Sequence, residues 1–221
     1  MKTLYFCFMV NYQEDAKQIA KYLLQINAII LQPNNPFTWA SGWKSPIYCD
    51  NRKTLSFPQI RTHIRMNMCE IIKEKYPHVN VIAGVATGGI PIGCLIAEEL
   101  GLPFIYIRSS NKEHGRKNLI EGYYNQGQTV VVIEDLISSG KSSLSAVKAL
   151  RDEDLIVKGL ISIFSYGFKV ADNNFKDHDC EKISLCDYNT LVNEALKSDY
   201  IQKKDVQLLN QWRENPEKWP N

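Results

Sequence analysis

The clearest structural pattern in this 221-residue chain is Val130-Val131-Val132-Ile133-Glu134-Asp135-Leu136-Ile137-Ser138-Ser139-Gly140-Lys141-Ser142-Ser143. Four consecutive β-branched residues are typical of a strand that is buried on both faces of a parallel sheet. Two adjacent carboxylates come at the end of this predicted strand, and a turn of small residues then leads into a helix. Ligands of open α/β sheets bind outside the carboxyl ends of the strands, so the pattern predicts a binding site.

The residue types at this predicted site favour a sugar phosphate as the ligand. Residues 138–142 would present backbone N–H groups and hydroxyls at a helix N-terminus, which is a good environment for a phosphate group. Glu134 and Asp135 would repel that phosphate unless they accept hydrogen bonds from neutral groups, such as the 2′- and 3′-hydroxyls of a ribose. A carboxylate pair beside a phosphate site therefore indicates a ribose phosphate.

The same residues allow two other interpretations, a P-loop and a purely structural role. Gly140-Lys141-Ser142 looks like the end of a P-loop, but a P-loop needs a glycine five residues before Gly140, where Asp135 stands. An aspartate side chain there would obstruct the turn around the phosphate, which argues against a nucleoside triphosphatase. A purely structural role stays open, in which the two acidic residues end a strand and Ser138 caps a helix.

Short apolar runs alternate with helical patterns through the middle of the chain. Predicted strands cover residues 79–85, 104–107, 130–133 and 160–164, and predicted helices cover residues 90–100 and 142–150. Gly101, with Pro103 beyond it, marks the end of the first of these helices. The alternation predicts strand–helix–strand crossovers in a doubly wound α/β domain.

The two ends of the chain are predicted to be additions to this core within a single domain over residues 1–221. Residues 12–57, the helix and hood region, begin with a predicted amphipathic helix and continue as short strands and turns. The apolar residues at helical spacing in that helix are Ile19, Leu23, Ile26 and Ile30. Residues 58–170 form the α/β core, which opens with a helix at Pro58, and residues 171–221 are predicted to be a helical tail.

Composition argues against several classes of function. A net charge of +2 is too small to indicate nucleic-acid binding, and no segment approaches the ~18 apolar residues of a membrane span. The six cysteines form no C-x-x-C pair, so we expect free thiols in a reducing, cytoplasmic compartment. The apolar run at residues 4–10 lacks the cleavage site of a signal peptide, and a translation start at Met9 rather than Met1 stays open.

The connection over residues 108–128 carries a cluster of cations. It lacks apolar helical periodicity, and a connection of this length is usually functional or mobile. Its basic side chains are Arg108, Lys112, His114, Arg116 and Lys117. At the same sheet edge as the phosphate site, they would neutralise an anionic leaving group and exclude water from the reaction. An exposed basic loop without a function is the alternative.

Several segments in order resemble the type I phosphoribosyltransferases, and specifically the orotate phosphoribosyltransferases. Residues 130–143 are similar to the motif of this family that binds phosphoribosyl pyrophosphate (PRPP). Residues 106–115 look like the catalytic loop of the orotate enzymes, and the glycine-rich turn at 84–91 is a weaker match. Residues 37–50, with the pattern F-T-x-x-S-G-x-x-S-P-x-Y, resemble the hood segment that separates the orotate enzymes from purine-using relatives.

The resemblance implies a fold, a reaction and an assembly. The fold is the type I phosphoribosyltransferase fold, a central, mostly parallel sheet flanked by helices with a small N-terminal hood. The reaction joins orotate to PRPP, giving orotidine 5′-monophosphate and pyrophosphate. Mg²⁺ would be carried by the oxygens of PRPP, so no metal ligand is expected from the protein. Members of the family are homodimers in which a mobile loop of one subunit reaches into the active site of the other.

The resemblance also assigns roles to individual residues. Those expected to bind PRPP are Arg108, Lys112, His114, Glu134, Asp135, Leu136, Ile137, Ser138, Ser139, Gly140, Lys141 and Ser142. Those expected to act in catalysis are Lys112, His114 and Asp135. Orotate is expected to contact Ser138 and Tyr48, with Lys44 as a weaker electrostatic candidate. Whether His114 is a general acid or only binds pyrophosphate stays open.

The chain departs from the family pattern at several places, and three of these departures remove a cation. Ala40 and Ser109 stand where many relatives have lysine, and Ser165-Tyr166-Gly167 occupies the region of a base-contacting arginine. Two alternative functions therefore stay open, a purine phosphoribosyltransferase and a regulatory module that binds PRPP without catalysis. The retained cations of the 108–128 connection argue against the regulatory module.

Overall fold

The computed structural model describes residues 12–38, 42, 44–109 and 119–219, and shows an α/β fold built around a six-stranded sheet. The strands are β1 (Ile29–Leu31), β2 (Phe37–Thr38), β3 (Lys44–Ser45), β4 (Ile47–Cys49), β5 (Val81–Val85), β6 (Phe104–Ile107), β7 (Ile120–Glu121), β8 (Thr129–Ile137), β9 (Ile156–Ser165) and β10 (Lys182–Asp187). The helices are α1 (Tyr12–Gln25), α2 (Pro58–Lys75), α3 (Gly89–Leu100), α4 (Lys141–Asp152), α5 (Lys169–Asp177), α6 (Tyr188–Lys197) and α7 (Lys203–Glu214), with a 3-10 helix at Asn51–Ser56.

The strand order of the large sheet brings three strand ends together. The order is β10-β9-β8-β5-β6-β7, and all neighbours are parallel except β6 and β7. The carboxyl ends of β5, β6 and β8, at Val85, Ile107 and Ile137, therefore lie at the same edge of the sheet. In the hood region, β1 pairs with β4 and β2 with β3, both antiparallel.

Alternate residues of the central strand β8 pack into two separate hydrophobic clusters. Val131 and Ile133 belong to the cluster that contains the buried faces of α1, α2, α3, α6 and α7. Val130 and Val132 belong to the cluster formed with α4 and α5. All four side chains are fully buried, so helices cover both faces of the strand. This is the physical reason for the uninterrupted apolar run in the sequence.

The predicted α/β fold class is confirmed, and one strand and one helix start are confirmed to the residue, at β6 and at Pro58. The central strand is longer than predicted. It continues through the acidic pair to Ile137 because it stays paired with β9, where Glu134 lies opposite Ser162 and Ile137 opposite Ser165. The carboxylates therefore belong to the strand itself and do not follow it.

Two predictions about the ends of the chain are wrong. The first helix ends at Gln25, because Asn27 adopts a left-handed conformation with a φ of 53° and Ile30 pairs with Tyr48 in a small sheet. The tail of residues 171–221 is not wholly helical, because β10 adds an edge strand to the large sheet. Ile183 of β10 lies opposite Ile161 of β9, so sheet pairing stabilises a segment with weak apolar alternation of its own.

Two further observations concern compartment and membrane. None of the helices in the described part of the chain is long and apolar enough to cross a membrane. The five cysteines within the described residues are unpaired. Cys7 lies outside the described residues, as do Met1 and Met9, so the start of translation stays a question from the sequence.

The N-terminus of α6 provides a test of how local sequence stabilises this fold. Asp187 Oδ1 accepts a hydrogen bond from the backbone N–H of Thr190 at 2.7 Å. We expect Asp187→Ala to lower the free energy of unfolding by about 1 kcal/mol, since this N–H would lose its acceptor. Asp187→Asn keeps an acceptor oxygen and should lose much less. Chemical denaturation of the three proteins measures the difference, and equal losses in both variants would contradict a capping role.

Candidate active site

The candidate site lies where three adjacent parallel strands end. Backbone hydrogen bonds fix the connections that leave these ends. The N–H of Ala86, after β5, donates to the carbonyl of Ile107 at 2.8 Å, and the N–H of Arg108 donates to the carbonyl of Leu119 at 2.9 Å. The third connection, residues 138–140, joins β8 to α4. The strand topology alone thus brings together residues that are far apart in sequence.

The two carboxyl groups of β8 lie in different environments because adjacent strand residues point to opposite faces. Glu134 is only 5% exposed, and its two oxygens accept hydrogen bonds from the Ser143 hydroxyl at 2.9 Å and from the Asp135 N–H at 3.0 Å. Burial, followed by the negative charge of Asp135, raises the pKa of Glu134 to about 8. The carboxyl of Glu134 is therefore mostly protonated at neutral pH, whereas Asp135 is half-buried and more accessible to a ligand.

Close packing against β8 explains the paired glycines at the start of α3. A Cβ atom on Gly88 would clash with the carboxyl group of Asp135, and one on Gly89 would clash with the carbonyl oxygen of Ile133. Glycines in such a turn can serve either the close approach of a ligand or the packing of the helix. The geometry supports packing, because the backbone of this turn must lie directly against the acidic pair.

Asn51 ties the hood region to the acidic pair, and sequence reasoning missed it. Its side-chain amide is 1% exposed and donates to the carbonyl oxygen of Asp135 at 2.7 Å. The adjacent Arg52 binds Asp50, with 2.6 Å between Nε and Oδ1. The hydrogen bond and charge of Asp50, and more weakly the charge of Asp135, raise the pKa of Arg52, which places this cation near the acidic pair.

The turn between β8 and α4 leads directly into the N-terminus of a helix, a position at which anions commonly bind in proteins. Ser138 and Ser139 are half-buried, and Gly140 adopts a left-handed conformation with a φ of 78° immediately before α4. A Cβ atom on Gly140 would lie 2.6 Å from the ring of Phe175, so glycine is required there. The side-chain amide of Asn174 braces the turn by donating to the Ser139 carbonyl at 2.9 Å. Because β8 continues to Ile137 and α4 starts at Lys141, the turn has only three residues, which is too short for a P-loop.

A cleft of about 460 Å³ opens beside this turn. We call it the base cleft, and it is lined by Phe37, Thr38, Tyr48, Cys49, Leu136, Ser138 and Tyr166. Tyr48 is 39% exposed at the opening, with its ring centroid 5.6 Å from that of Phe37. Tyr166, 3% exposed, forms another part of the cleft wall. The volume and the largely apolar lining are typical of a site for a small planar molecule.

The structure brings together most of the predicted residues that it describes. Tyr48, Leu136 and Ser138 line the base cleft, and Ser138 is shared with the turn. The side chain of Ile137 is fully buried in the core, so its predicted contact with PRPP can involve only its backbone. The phosphate-turn residues Lys141 and Ser142 are exposed at the start of α4. Lys44 is also exposed, and its amino group donates to the Thr38 hydroxyl at 2.8 Å.

The cationic connection is only partly described. Arg108 follows β6 at the site edge, with 3.6 Å between its Nη1 and Oε1 of Glu121. Lys112 and His114 lie outside the described residues, as do Arg116, Lys117, Ala40 and the two tryptophans at 39 and 43. Within the described ranges, no group of three or more His, Cys, Asp or Glu side chains is placed to hold a metal ion.

Sequence reasoning missed three residues that support the site. Ser143 and Asn51 are buried and bind the acidic pair, and Tyr166 forms one wall of the cleft. No signal in the sequence pointed to the first two, because polar residues surround both positions and their burial is visible only in the structure. Tyr166 was noted only as occupying the place of an arginine.

Comparison with known proteins gives a consistent result. A family model described as phosphoribosyl transferase domain matches residues 54–198. The chain is 52% identical over 203 residues to an orotate phosphoribosyltransferase of Porphyromonas gingivalis, covering 92% of this chain and 97% of the relative. It is 53% identical over 203 residues to one of Phocaeicola vulgatus, covering 92% and 96%. The crystal structure of orotate phosphoribosyltransferase from Aeropyrum pernix has the same fold, with a TM-score of 0.73 and 24% identity over 83% of this chain and 99% of that one.

The buried carboxyl of Glu134 predicts a pH-dependent stability. Its folded pKa of about 8 lies above the ordinary 4.5, so the unfolded chain loses this proton first as the pH rises. The resulting loss of folding stability grows between about pH 4.5 and pH 8 and is complete above pH 8. Glu134→Gln carries no charge at this position. We therefore expect the difference in free energy of unfolding between this variant and wild type to increase by about 2 to 4 kcal/mol, in favour of the variant, from pH 5 to pH 9.

Denaturation at both pH values measures this gain, with Glu98→Gln on the exposed side of α3 as the matched control. The control should differ from wild type by the same amount at both pH values. A gain in Glu134→Gln that does not change with pH would contradict the raised pKa.

Proposed function

The chain belongs to the orotate phosphoribosyltransferase family, and we propose that it transfers the phosphoribosyl group of PRPP to orotate in pyrimidine nucleotide synthesis. The products are orotidine 5′-monophosphate and pyrophosphate. The observation that carries the proposal is the junction at Ser138, which belongs both to the hydroxyl turn after the acidic pair and to the base cleft. This supports the proposal, because a turn suited to a sugar phosphate would lie directly beside a cleft suited to a planar base. Half of the sequence is shared with relatives named for orotate, so a purine substrate is not favoured.

The phosphoribosyl group is assigned to the turn and the acidic pair. Backbone N–H groups and hydroxyls of residues 138–142 would bind the 5′-phosphate at the start of α4. Asp135 is the more accessible carboxylate, and we assign it the direct contact with the ribose hydroxyls. Glu134 already accepts two hydrogen bonds within the protein, so it would mainly position Asp135 and the start of α4.

The base is assigned to the cleft between Tyr48 and Tyr166. In the reaction, N1 of orotate bonds to C1′ while the C1′–O bond to pyrophosphate breaks and its electron pair leaves on the pyrophosphate oxygen. The proton of N1 passes to solvent or to the leaving group. The ribose passes through a state with positive charge at C1′, which the carboxylate of Asp135 would stabilise. Ser138, at the junction, would contact the base on the side of the sugar.

The pyrophosphate is assigned to Arg108, Lys112 and His114. The position of Arg108 supports this role, because it follows β6 at the same edge of the sheet as the acidic pair, two strands away from β8. The other two cations follow within the connection, and their charges would stabilise the leaving group. Mg²⁺ would be held by the oxygens of PRPP, and the Asp135 carboxylate is an oxygen donor of the kind this ion prefers. When bound, Mg²⁺ neutralises negative charge on pyrophosphate.

An absorbance assay tests the proposal directly. Purified protein with PRPP and Mg²⁺ should consume orotate, and Asp135→Asn should lower kcat/KM by about 10²-fold or more, since the stabilising charge is lost. Asp152→Asn, at the exposed end of α4, is the matched control and should keep its activity. Turnover of a purine base in place of orotate would contradict the assignment. Binding of PRPP without turnover of any base would favour the regulatory module.

We also propose a cytoplasmic homodimer in which the part of the 108–128 connection beyond Arg108 completes the site of the partner. Inactive Lys112→Ala and Asp135→Asn proteins should then complement each other when mixed as heterodimers. One of the two sites would carry both changes and the other neither, so roughly half of the wild-type activity should return. Activity measured on heterodimers verified by mass spectrometry is the readout. No recovery would contradict a shared site.

A further inference from the structure

We propose that the C-terminal helix α7 sets the shape of the base cleft, because its two ends hold two different segments of the cleft wall. This helix lies outside the motifs that identify the family. The inference rests on the proposed function for the identity of the base, but the contacts that carry it are independent of that identity. They involve Arg213 and Trp212 at one end of the helix and Asp205 at the other.

Arg213 fixes the turn that follows β9. Its Nη2 donates to the carbonyl oxygen of Gly167 at 3.1 Å, and its Nη1 donates to Oδ1 of Asn189 at 2.6 Å. The guanidinium group also lies over the ring of Tyr188, 5.5 Å from its centroid. These three contacts hold the side chain in one orientation. Gly167 is the residue directly after Tyr166, so the contact fixes the backbone beside a cleft wall.

Trp212 supports the same wall from behind. Its side chain is fully buried. The centroid of its ring lies 5.7 Å from the ring centroid of Tyr166 and 5.4 Å from that of Phe168. Tyr166 and Phe168 stack on each other at 5.3 Å. Aromatic rings packed at these distances resist displacement because the interior leaves no free volume around them. The position of Tyr166 therefore depends on α7.

Asp205 holds the other wall segment. Its Oδ1 accepts a hydrogen bond from the side-chain amide of Asn34 at 3.1 Å, and its Oδ2 accepts one from the backbone N–H of Gln202 at 2.9 Å. Asp205 is buried and is fixed by this capping box at the start of the helix. Asn34 lies three residues before Phe37, which lines the cleft together with Thr38.

The helix is thus a rigid link between the two wall segments. At about 1.5 Å per residue its twelve residues span roughly 18 Å, and its length does not change easily. A planar base between two walls needs them roughly 7 Å apart, since carbon atoms in contact are separated by 3.5 to 4 Å. A change of 1 Å in this spacing would weaken binding strongly. Arg213 is accordingly a positioning residue, which acts on the base through Gly167 and Tyr166.

Steady-state kinetics of Arg213→Met tests this role. We expect the KM for orotate to rise about tenfold, the effect of losing a hydrogen bond from a charged donor, while the KM for PRPP changes less than twofold. Arg213→Lys should recover part of the loss, and Asn34→Ala should raise the KM for orotate in the same way. Arg151→Met is the matched control, because Arg151 also donates to two backbone carbonyls, of His178 and Asp179 at 2.6 and 2.8 Å, away from the cleft.

Three results would overturn the inference. An unchanged KM for orotate in Arg213→Met would show that the helix does not set the cleft. A rise in the KM for PRPP alone would instead assign Arg213 to the phosphate, since it shares a cavity with Ser138 and Lys141. The same rise in the KM for orotate in Arg151→Met would show that general destabilisation of the protein, and not the position of Arg213, causes the effect.

Hydrogen exchange of the same variants separates this inference from the proposed function. Without any substrate, Arg213→Met should speed amide exchange at residues 166–168, and Asn34→Ala should speed it at residues 34–38. Unchanged exchange at both places would refute the role of α7 whatever the substrate is. If wild type fails to consume orotate while both segments respond, the proposed function is wrong and the role of α7 stands.

Discussion

The parallel pairing of β8 between β5 and β9 is the constraint on which the site depends. Ile133 lies opposite Gly84 on one side and Ile161 on the other, so the level of the acidic pair is fixed from both neighbours. A slip of one residue would turn the apolar side chains of the strand to the wrong faces, which the two packed helical layers do not allow. The tight approach of Gly88 to Asp135 is possible only in this register. The chemistry of the site is therefore fixed by packing deep in the core.

The site is held at an electrostatic cost. Glu134 is buried beside a second carboxyl, and the cost appears as its raised pKa. The hydrogen bond from Ser143 offsets part of this cost and ties the acidic pair to the first turn of α4. A more stable core would replace Glu134 with an apolar residue, but the link between strand and phosphate turn would then be lost. Functional sites commonly retain such locally unfavourable groups.

Sequence predicted the parts of this site that are continuous along the chain. The apolar run, the acidic pair and the small turn lie within fourteen residues, so order and residue type were enough to place Asp135 and Ser138 together. The contacts of Asn51 and Tyr166 depend on residues far away in sequence, and no periodicity reports them. The edge strand β10 escaped prediction for a similar reason, since its stability comes from β9. Local patterns give the elements, and long-range packing decides which of them meet.

The hydrogen bond between Asn34 and Asp205 joins residues that are 171 positions apart. During synthesis the hood region leaves the ribosome long before the segment that holds it in place. The central sheet has all its interior strands by the end of β9, so it can form while the last helices are still being made. A nascent chain at that stage would have its phosphate turn but an unfinished base cleft. Completion of the pocket would then be one of the last steps of folding.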